Sequence, residues 1–389
     1  MIKNNFLSNI NFFSTSLSMS INFFFSSVLI ILLSLFNFLD LAAEIGLTLS
    51  FTLFLCQIFS ANHRSLIYLE EYQSKVNSII QFRFIITFII LFISISMIFI
   101  LKFENQFFLI ILSLLICIQW ISEIFLTIKE KAKSYDYSNK ILFTNLVFFS
   151  TILFSIFFNY IILINYFVIF IIVCYLLIFK KEFYRIKFTI KDLSFSKNIL
   201  KNSFKNYEII SSFFLNFSNL IWRLSIFLYA GKSVAGLLFG SFAIGSFFGS
   251  VYYNILGPKI HSKKINFSKL WFLPFLFLTI LLVFISFNYF KNLENIYDLE
   301  IVRLSCILFS LSGSFIMILS LFIRFNYFYN YETKLVFKLD VIYSVLISFI
   351  ISIIFYLLGL KFLVLAYFIA SLCSLSVYLL LYLNNEKFF

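Results

Sequence analysis

Charge is what this chain has least of. Asp, Glu, Lys and Arg together make up 12% of its 389 residues, against about 25% in an ordinary soluble domain. That scarcity excludes a soluble domain of useful size, because no polar stretch between the apolar runs is long enough to build one. Disulfide and thiolate chemistry is missing as well. Cys56, Cys117, Cys174, Cys306 and Cys373 all fall inside apolar runs with no C-x-x-C pair, so they read as small buried hydrophobes. The two histidines, His63 and His261, sit in inner connectors with no partner at metal-ligand spacing. Nothing points to a metal, a cofactor, a nucleophilic triad or a nucleic-acid partner, and the chain is not expected to be an enzyme.

What the chain has instead is hydrophobic length: 62% of the residues are hydrophobic and the mean hydropathy is +1.02. Uncharged runs alternate with short connectors rich in Lys and Arg. A hydrocarbon core of about 30 Å needs about 20 helical residues, and lipid offers no partner to open backbone groups, so each run must be a helix. Read from charge to charge, the spans are residues 17–39, 45–61, 84–101 and 107–126, two between 140 and 180 turning near Asn159 and Tyr160, then 209–230, 233–256, 270–287, 304–323, 341–358 and 362–383. The expectation is an all-α polytopic membrane protein of about 12 transmembrane helices. Its halves would be residues 1–179 and 209–389, six helices each, joined by a basic cytoplasmic linker at 180–208.

Placing the N-terminus inside, as Asn4, Asn5, Asn9 and Asn11 suggest, puts 24 Lys and Arg in inner segments and 5 in outer ones, with Arg223 inside a span. Such residues concentrate on the cytoplasmic side. The abundance of Phe, Ile, Asn, Lys and Ser reads as an A+T-rich coding bias, which could raise the Lys count but not sort it by side. Both termini are therefore expected to be cytoplasmic. No small-residue cleavage site follows the first run, so it reads as a span and not as a signal peptide. The inner basic groups, notably Lys180, Lys181, Arg185, Lys187 and Lys191, fix topology and touch anionic lipid.

Intramembrane polar residues are the candidates for function, because they are costly to keep. Ser212, Asn216, Asn219 and Arg223 are spaced 4, 3 and 4 apart and share one helix face. Arg223 lies about 21 Å along its span, in the outer third of the membrane. Two readings stay open: a wet cavity for hydroxyl-rich, anionic cargo, or helix-to-helix glue with Arg223 reaching the headgroups. Ser18, Asn22 and Ser26 form a weaker stripe. Six of the nine glycines fall between residues 231 and 257. Gly236 with Gly240 and Gly245 with Gly249 make two G-x-x-x-G pairs for close backbone approach, either as tight packing or as a sliding surface, and Gly257-Pro258 reads as a helix stop. Glu123 reads either as a carrier of a coupling proton or as an interfacial group reaching water. Asp40 and Glu44 read as solvated residues of an outer loop.

Two stretches carry a family likeness. The first is A-A-E-I-G-L-T-L-S at 42–50, leading to A-N-H-R-S-L at 61–66; the second runs from Leu200 through the basic linker into I-W-R-L-S-I-F-L-Y-A-G-K-S-V-A-G-L-L-F-G-S-F-A at 221–243. With the order of spans, they resemble the polysaccharide and O-antigen flippases (Wzx type) of the multidrug/oligosaccharidyl-lipid/polysaccharide exporter superfamily. The chain departs from the family at Trp222, where Asp is common, and at Leu237, where an aromatic is usual.

The resemblance implies a transporter in the bacterial inner membrane. Its cargo would be undecaprenyl-diphosphate-linked oligosaccharide for O-antigen, lipopolysaccharide or capsule-like polymers, moved by alternating access. It implies headgroup contacts at Arg223, Asn216, Asn219 and Ser212, an inner-gate cation at Arg64, a coupling ion (proton or sodium) with Glu123 as its candidate, and association with a polysaccharide polymerase. Two rivals are weighed. A small-molecule cation antiporter requires carboxylates deep in the bundle. A membrane glycan polymerase, an enzyme, requires a large outer loop, and the longest outer connection here is 288–303.

Overall fold

Backbone N–H and C=O groups that meet lipid must be satisfied within their own segment, and each described apolar run does so as a helix. The computed structural model describes residues 27–60, 63, 67, 76–132, 134, 136–158, 160–185, 207–261, 272–291, 299–330 and 333–383. In chain order the helices are α1 (27–35), α2 (Leu39–Ile58), α3 (Val76–Ile100), α4 (Gln106–Lys131), α5 (Asp136–Phe157), α6 (Ile161–Ile178) and the short α7 (Lys180–Arg185). They continue with α8 (Tyr207–His261), α9 (Phe272–Lys291), α10 (Leu299–Asn330), α11 (Thr333–Leu358), a 3-10 turn (Leu360–Leu365) and α12 (Ala366–Leu383). No strand occurs among the described residues.

Eight helical stretches are long and apolar enough to cross a membrane, and Ile162–Ile178 and Leu278–Lys291 are shorter apolar helices. One of the eight, Ile210–Phe247, runs for 38 residues, about 57 Å at 1.5 Å per residue, nearly twice a hydrocarbon core. It breaks at Gly231, whose φ of 77° and ψ of 171° are non-helical; a side chain there would be strained. That is where the sequence reading separates two spans. The turn expected near Asn159 and Tyr160 also lies between helices, α5 and α6. The chain is thus an all-α polytopic membrane protein.

Boundaries differ from the sequence reading at several points. The chain turns at Asn37, in the left-handed region at φ 67°, a conformation Asn tolerates, and the Phe38 N–H closes the turn on the Leu33 carbonyl at 2.9 Å. As a result α2 starts at Leu39, and Asp40 and Glu44 lie in its first turns, where acidic groups favour a helix N-terminus. Glu44 is not solvated but 1% exposed. Gly257-Pro258 does not end α8, which continues to His261; the missing N–H removes one hydrogen bond without unwinding the backbone there. Finally, α10 and α11 overrun the expected spans and carry Arg324 and Asp340 as helical residues.

Contacts divide the chain into two compact units, one holding the described part of Thr48–Phe213 and the other Ser27–Leu47 with the described part of Phe214–Phe389. In the first, α4 packs on α3 and α6. Its span is 83% buried against 28% for α3, which makes α4 the centre and α3 a lipid-facing wall. Hydroxyl and amide groups tie the unit internally: Thr52 Oγ1 bonds Ser94 Oγ at 3.2 Å, and Asn145 Nδ2 donates to the Tyr175 hydroxyl at 3.3 Å.

In the second unit α10 packs on α9 and α12, and α11 packs on α12. Ser27–Leu47 belongs here, a membership different from the halves read along the sequence. Glycine is the physical reason. A methyl group at Gly236 would overlap the Leu39 carbonyl, one at Gly240 would overlap the Ser34 side chain, and one at Gly46 would meet the Phe239 ring at 2.5 Å. Gly245 serves another face, where a methyl would lie 2.7 Å from the Ser310 carbonyl of α10 and Ser314 Oγ donates to the Gly245 carbonyl at 2.9 Å. The backbone approach read from the G-x-x-x-G pairs is present at Gly236, Gly240 and Gly245.

Gly236→Ala is expected to destabilise the protein by about 3 kcal/mol, the upper end for overpacking, because the obstructing atom belongs to backbone. Thermal unfolding in detergent measures it, and an unchanged midpoint would contradict the close approach.

Candidate functional site

A helix turns about 100° per residue, so the exposed positions of α8 can be laid around its axis. Asn219 is exposed, and Ser212, Asn216 and Arg223 are half-buried, all within about 60° of Asn219 on one side. Phe217 and Leu228 are also exposed, but about 160° to 180° away. Ser211, Ser218, Trp222 and Ile226 are buried and lie to the other side of Asn219. One stretch of helix therefore has an exposed apolar face and, on the opposite side, a half-buried row of hydroxyl, amide and guanidinium groups around exposed Asn219.

The polar face ends in a network within the second unit. Arg223 Nη1 donates to the Gly46 carbonyl at 3.0 Å, and its guanidinium carbon lies 5.7 Å from the centre of the Phe239 ring, in cation–π range. Gly46 therefore has two uses: its lack of a side chain admits Phe239, and its carbonyl receives Arg223. Nearby in sequence, Lys232 Nζ pairs with Glu44 Oε1 at 3.2 Å, and Ser233 Oγ donates to Asp40 Oδ1 at 2.8 Å. Arg303 of α10 donates to Asn37 Oδ1 and reaches the Leu35 carbonyl at 3.5 Å, covering the open end of α1. Trp222 packs at a tilt against Phe242, ring centres 4.9 Å apart, and among the described residues its indole N–H meets no acceptor.

Glu123 belongs to a cluster in the first unit that the sequence reading did not assemble. Its Oε2 is 2.8 Å from Arg83 Nη1, with side-chain exposures of 13% and 1%. Arg83 also donates from Nη1 to the Trp120 carbonyl and from Nε to His63 Nδ1 at 3.3 Å, and its guanidinium lies 4.7 Å from the Trp120 ring centre. Trp120 Nε1 in turn donates to Ser60 Oγ at 2.7 Å. His63 is 1% exposed and stands edge-on to Phe82 at 5.6 Å. Burial first, and the Arg83 charge second, hold the His63 imidazole well below its ordinary range, so it is neutral at pH 7.

The second unit has its own buried pair. Arg324 on α10 grips Asp340 on α11 through Nε to Oδ1 at 2.8 Å and Nη2 to Oδ2 at 2.7 Å. Tyr378 of α12 donates its hydroxyl to Oδ1. Asp340 is fully buried, and the three helices meet on it.

Of the residues singled out from sequence, Ser212, Asn216, Asn219 and Arg223 fall on one face of α8, and Glu123 is held by an ion pair. Arg64 lies outside the described residues. Arg83, His63, Arg324, Asp340 and Tyr378 were missed. Arg83 and Arg324 had been assigned to connectors because spans were read from charge to charge; the uncharged VNSIIQF before Arg83 was the signal that a helix already runs there. In comparisons with known proteins, no family model matches the chain, and neither a curated protein nor a solved structure matches it.

Removing one partner of a buried ion pair costs about 3–5 kcal/mol, whereas an apolar pair of similar size is far less harmful. Arg324→Leu and Asp340→Leu are each expected to destabilise the protein by that amount, and the double replacement Arg324→Leu/Asp340→Leu by less than either. Denaturation of the three variants in detergent checks it; simple additivity would contradict the pairing.

Proposed function

We propose that this chain is a flippase that carries lipid-linked oligosaccharide across a bacterial inner membrane by alternating access. On this reading the chain makes twelve crossings with both termini in the cytoplasm, in six-helix halves at residues 1–179 and 209–389, and it offers its cargo a polar cleft. The glycan and diphosphate pass through that cleft while the polyprenyl tail stays in lipid.

The observation that carries the proposal is the pair of opposed faces on α8. Exposed Phe217 and Leu228 suit acyl chains. Exposed Asn219, on the same side of the helix as half-buried Asn216, Ser212 and Arg223, suits water and hydroxyl-rich cargo, because an exposed amide is costly to keep against lipid. A guanidinium adds an anion contact, since its donors match phosphate oxygens. The likeness to the flippases rests on the same region, from Ile221 through the glycines of α8.

A second reading, a small-molecule cation antiporter, gains support from the buried carboxylates of Glu44 and Asp340. Both, however, are held by a cation of the chain itself, Lys232 and Arg324. A transported cation would have to displace a neighbouring ammonium or guanidinium to bind there.

Deletion of the gene separates the two. A flippase leaves completed lipid-linked oligosaccharide on the cytoplasmic leaflet and lowers surface glycan; an antiporter leaves glycan intact and makes cells sensitive to cationic compounds. Complementation sharpens the test. Asn219→Ala, at an exposed position, should alter stability by no more than about 0.5 kcal/mol and still reduce surface glycan several-fold. Normal glycan with Asn219→Ala and Arg223→Ala together would remove α8 from the cargo path.

A further inference from the structure

In the first unit α5 ends at Phe157, α6 begins at Ile161, and the two helices pack on each other. The start of α5 and the end of α6 therefore meet at one end of the unit, and Tyr137 of α5 is the hub there. Its ring stacks on Phe179, just beyond α6, with centres 5.5 Å apart, and its hydroxyl donates to Glu182 Oε1 of α7 at 3.4 Å. The ammonium groups of Lys129, from α4, and of Lys140, one turn along α5, lie 5.0 and 5.9 Å from the centre of the same ring. On α7 the Lys180 ammonium lies 6.0 Å from the ring of Tyr184. All three are in cation–π range.

These cations are not equivalent. Lys129 is spent on Glu182 at 2.9 Å, a bond that fixes α7 against α4. Lys140, Lys180 and Lys181 are exposed, and none of the three pairs with a carboxylate among the described residues. Asp136, one turn before Lys140, stands in the first turn of α5, where the helix N-terminus answers its charge. The connectors as a whole carry the same excess, since residues 129–140 and 180–208 hold twelve Lys and Arg against five Asp and Glu. Their carboxylates cannot neutralise their cations in any arrangement.

Apolar surface continues from these ammonium groups. On α5, Phe143 and Val147 are exposed and lie within about 60° of Lys140 around the helix. The last turns of α6 expose Val173, Leu176 and Leu177. A lysine stem can lie along such a surface while its head stays at the water boundary.

We propose that the start of α5 and the α6–α7 junction form a binding site for one anionic phospholipid, its phosphate held by Lys140, Lys180 and Lys181 and its acyl chains on the apolar faces of α5 and α6. An ammonium has three donors and no acceptor, which suits phosphate oxygens. A zwitterionic headgroup brings a cation of its own, which three lysines repel; a glycerol headgroup leaves the phosphate charge for them. Basic segments in general attract anionic lipid as a diffuse field that fades within a Debye length. Here the rings of Tyr137 and Tyr184 hold two of the ammonium groups in place, and the Lys129–Glu182 bond holds α7, so the charges have fixed positions. The site does not rest on the flippase reading, and its test uses no cargo.

Native mass spectrometry of the full chain in detergent, titrated with phosphatidylglycerol or phosphatidylcholine, provides that test. One phosphatidylglycerol is expected to bind about tenfold or more tightly than phosphatidylcholine. Lys140→Gln/Lys180→Gln/Lys181→Gln should abolish the preference, at about fivefold per lysine, while Lys140→Arg/Lys180→Arg/Lys181→Arg keeps it. Lys334→Gln/Lys338→Gln, at two exposed positions of α11, should leave it unchanged. Equal loss in both glutamine variants, or equal binding of the two lipids by wild type, overturns the site. Displacement of the bound lipid by excess inorganic phosphate would make a free anion the ligand and overturns it as well. Should the triple glutamine variant fail to insert, the three single variants decide: each is expected to bind about fivefold more weakly, and no loss in any of them overturns the proposal.

Discussion

A guanidinium inside a helix bundle must be answered on the spot, and the first unit is arranged around that demand. Moving a charge out of water costs several kcal/mol even after relaxation, and Arg83 is 1% exposed. Its answer comes from three directions: the Glu123 carboxylate and Trp120 carbonyl of α4, the Trp120 ring, and the His63 nitrogen of the connector. These bonds have direction, which hydrophobic contact lacks, so they set the register of α3 against α4 and hold the His63 ring against Arg83. Arg324 imposes the same condition on the second unit, where α10, α11 and α12 converge on Asp340. Helices whose surfaces are otherwise interchangeable runs of Ile, Leu and Phe acquire a specific alignment from these few polar atoms.

That logic also explains which parts of the fold could be read in advance. Helices follow from the uncharged runs alone, since lipid permits no other backbone, and the turns at Gly231 and near Tyr160 follow from where the runs exceed one bilayer thickness. What misled was the rule that a charge ends a span. It holds for a charge that must reach water, as Lys102 does at the end of α3. It fails for Arg83, Arg324, Asp340 and Glu44, each of which finds its counter-charge on another helix. Glu123 is 40 positions from Arg83 along the chain, and Lys232 is 188 from Glu44. No local pattern announces a partner at that distance, so the pairs became legible only once the helices were packed.

α8 shows how one segment can carry several of these constraints without conflict. Before Gly231 it divides its circumference between the apolar positions Phe217 and Leu228, the buried row from Ser211 to Ile226, and the polar stripe. After Gly231 it gives up side chains altogether where backbone must come close, at Gly236 and Gly240 toward Leu39 and Ser34 and at Gly245 toward Ser310. The cluster of glycines visible in the sequence is therefore positional. Gly236, Gly240 and Gly245 each remove one Cβ at a place where a neighbouring carbonyl or hydroxyl stands, and the break between the two segments comes where Gly231 takes a left-handed φ.

The buried carboxylates bear on what such a protein could carry. Presence of an acidic group in the bundle is a poor criterion for a cation site unless its neutralisation is considered as well. Asp340 already receives two guanidinium N–H bonds and a tyrosine hydroxyl, so its two oxygens are saturated in geometry as well as in charge. A soft, hydrated cation arriving there would trade a bidentate bond in a low-dielectric site for a monodentate one, and Arg324, tethered to α10, would have to move away with its own charge unanswered. The exchange is uphill on both sides. The stripe on α8 makes no such demand: on the reading proposed above, the exposed amide of Asn219 trades water for sugar hydroxyls at little net change in hydrogen bonding.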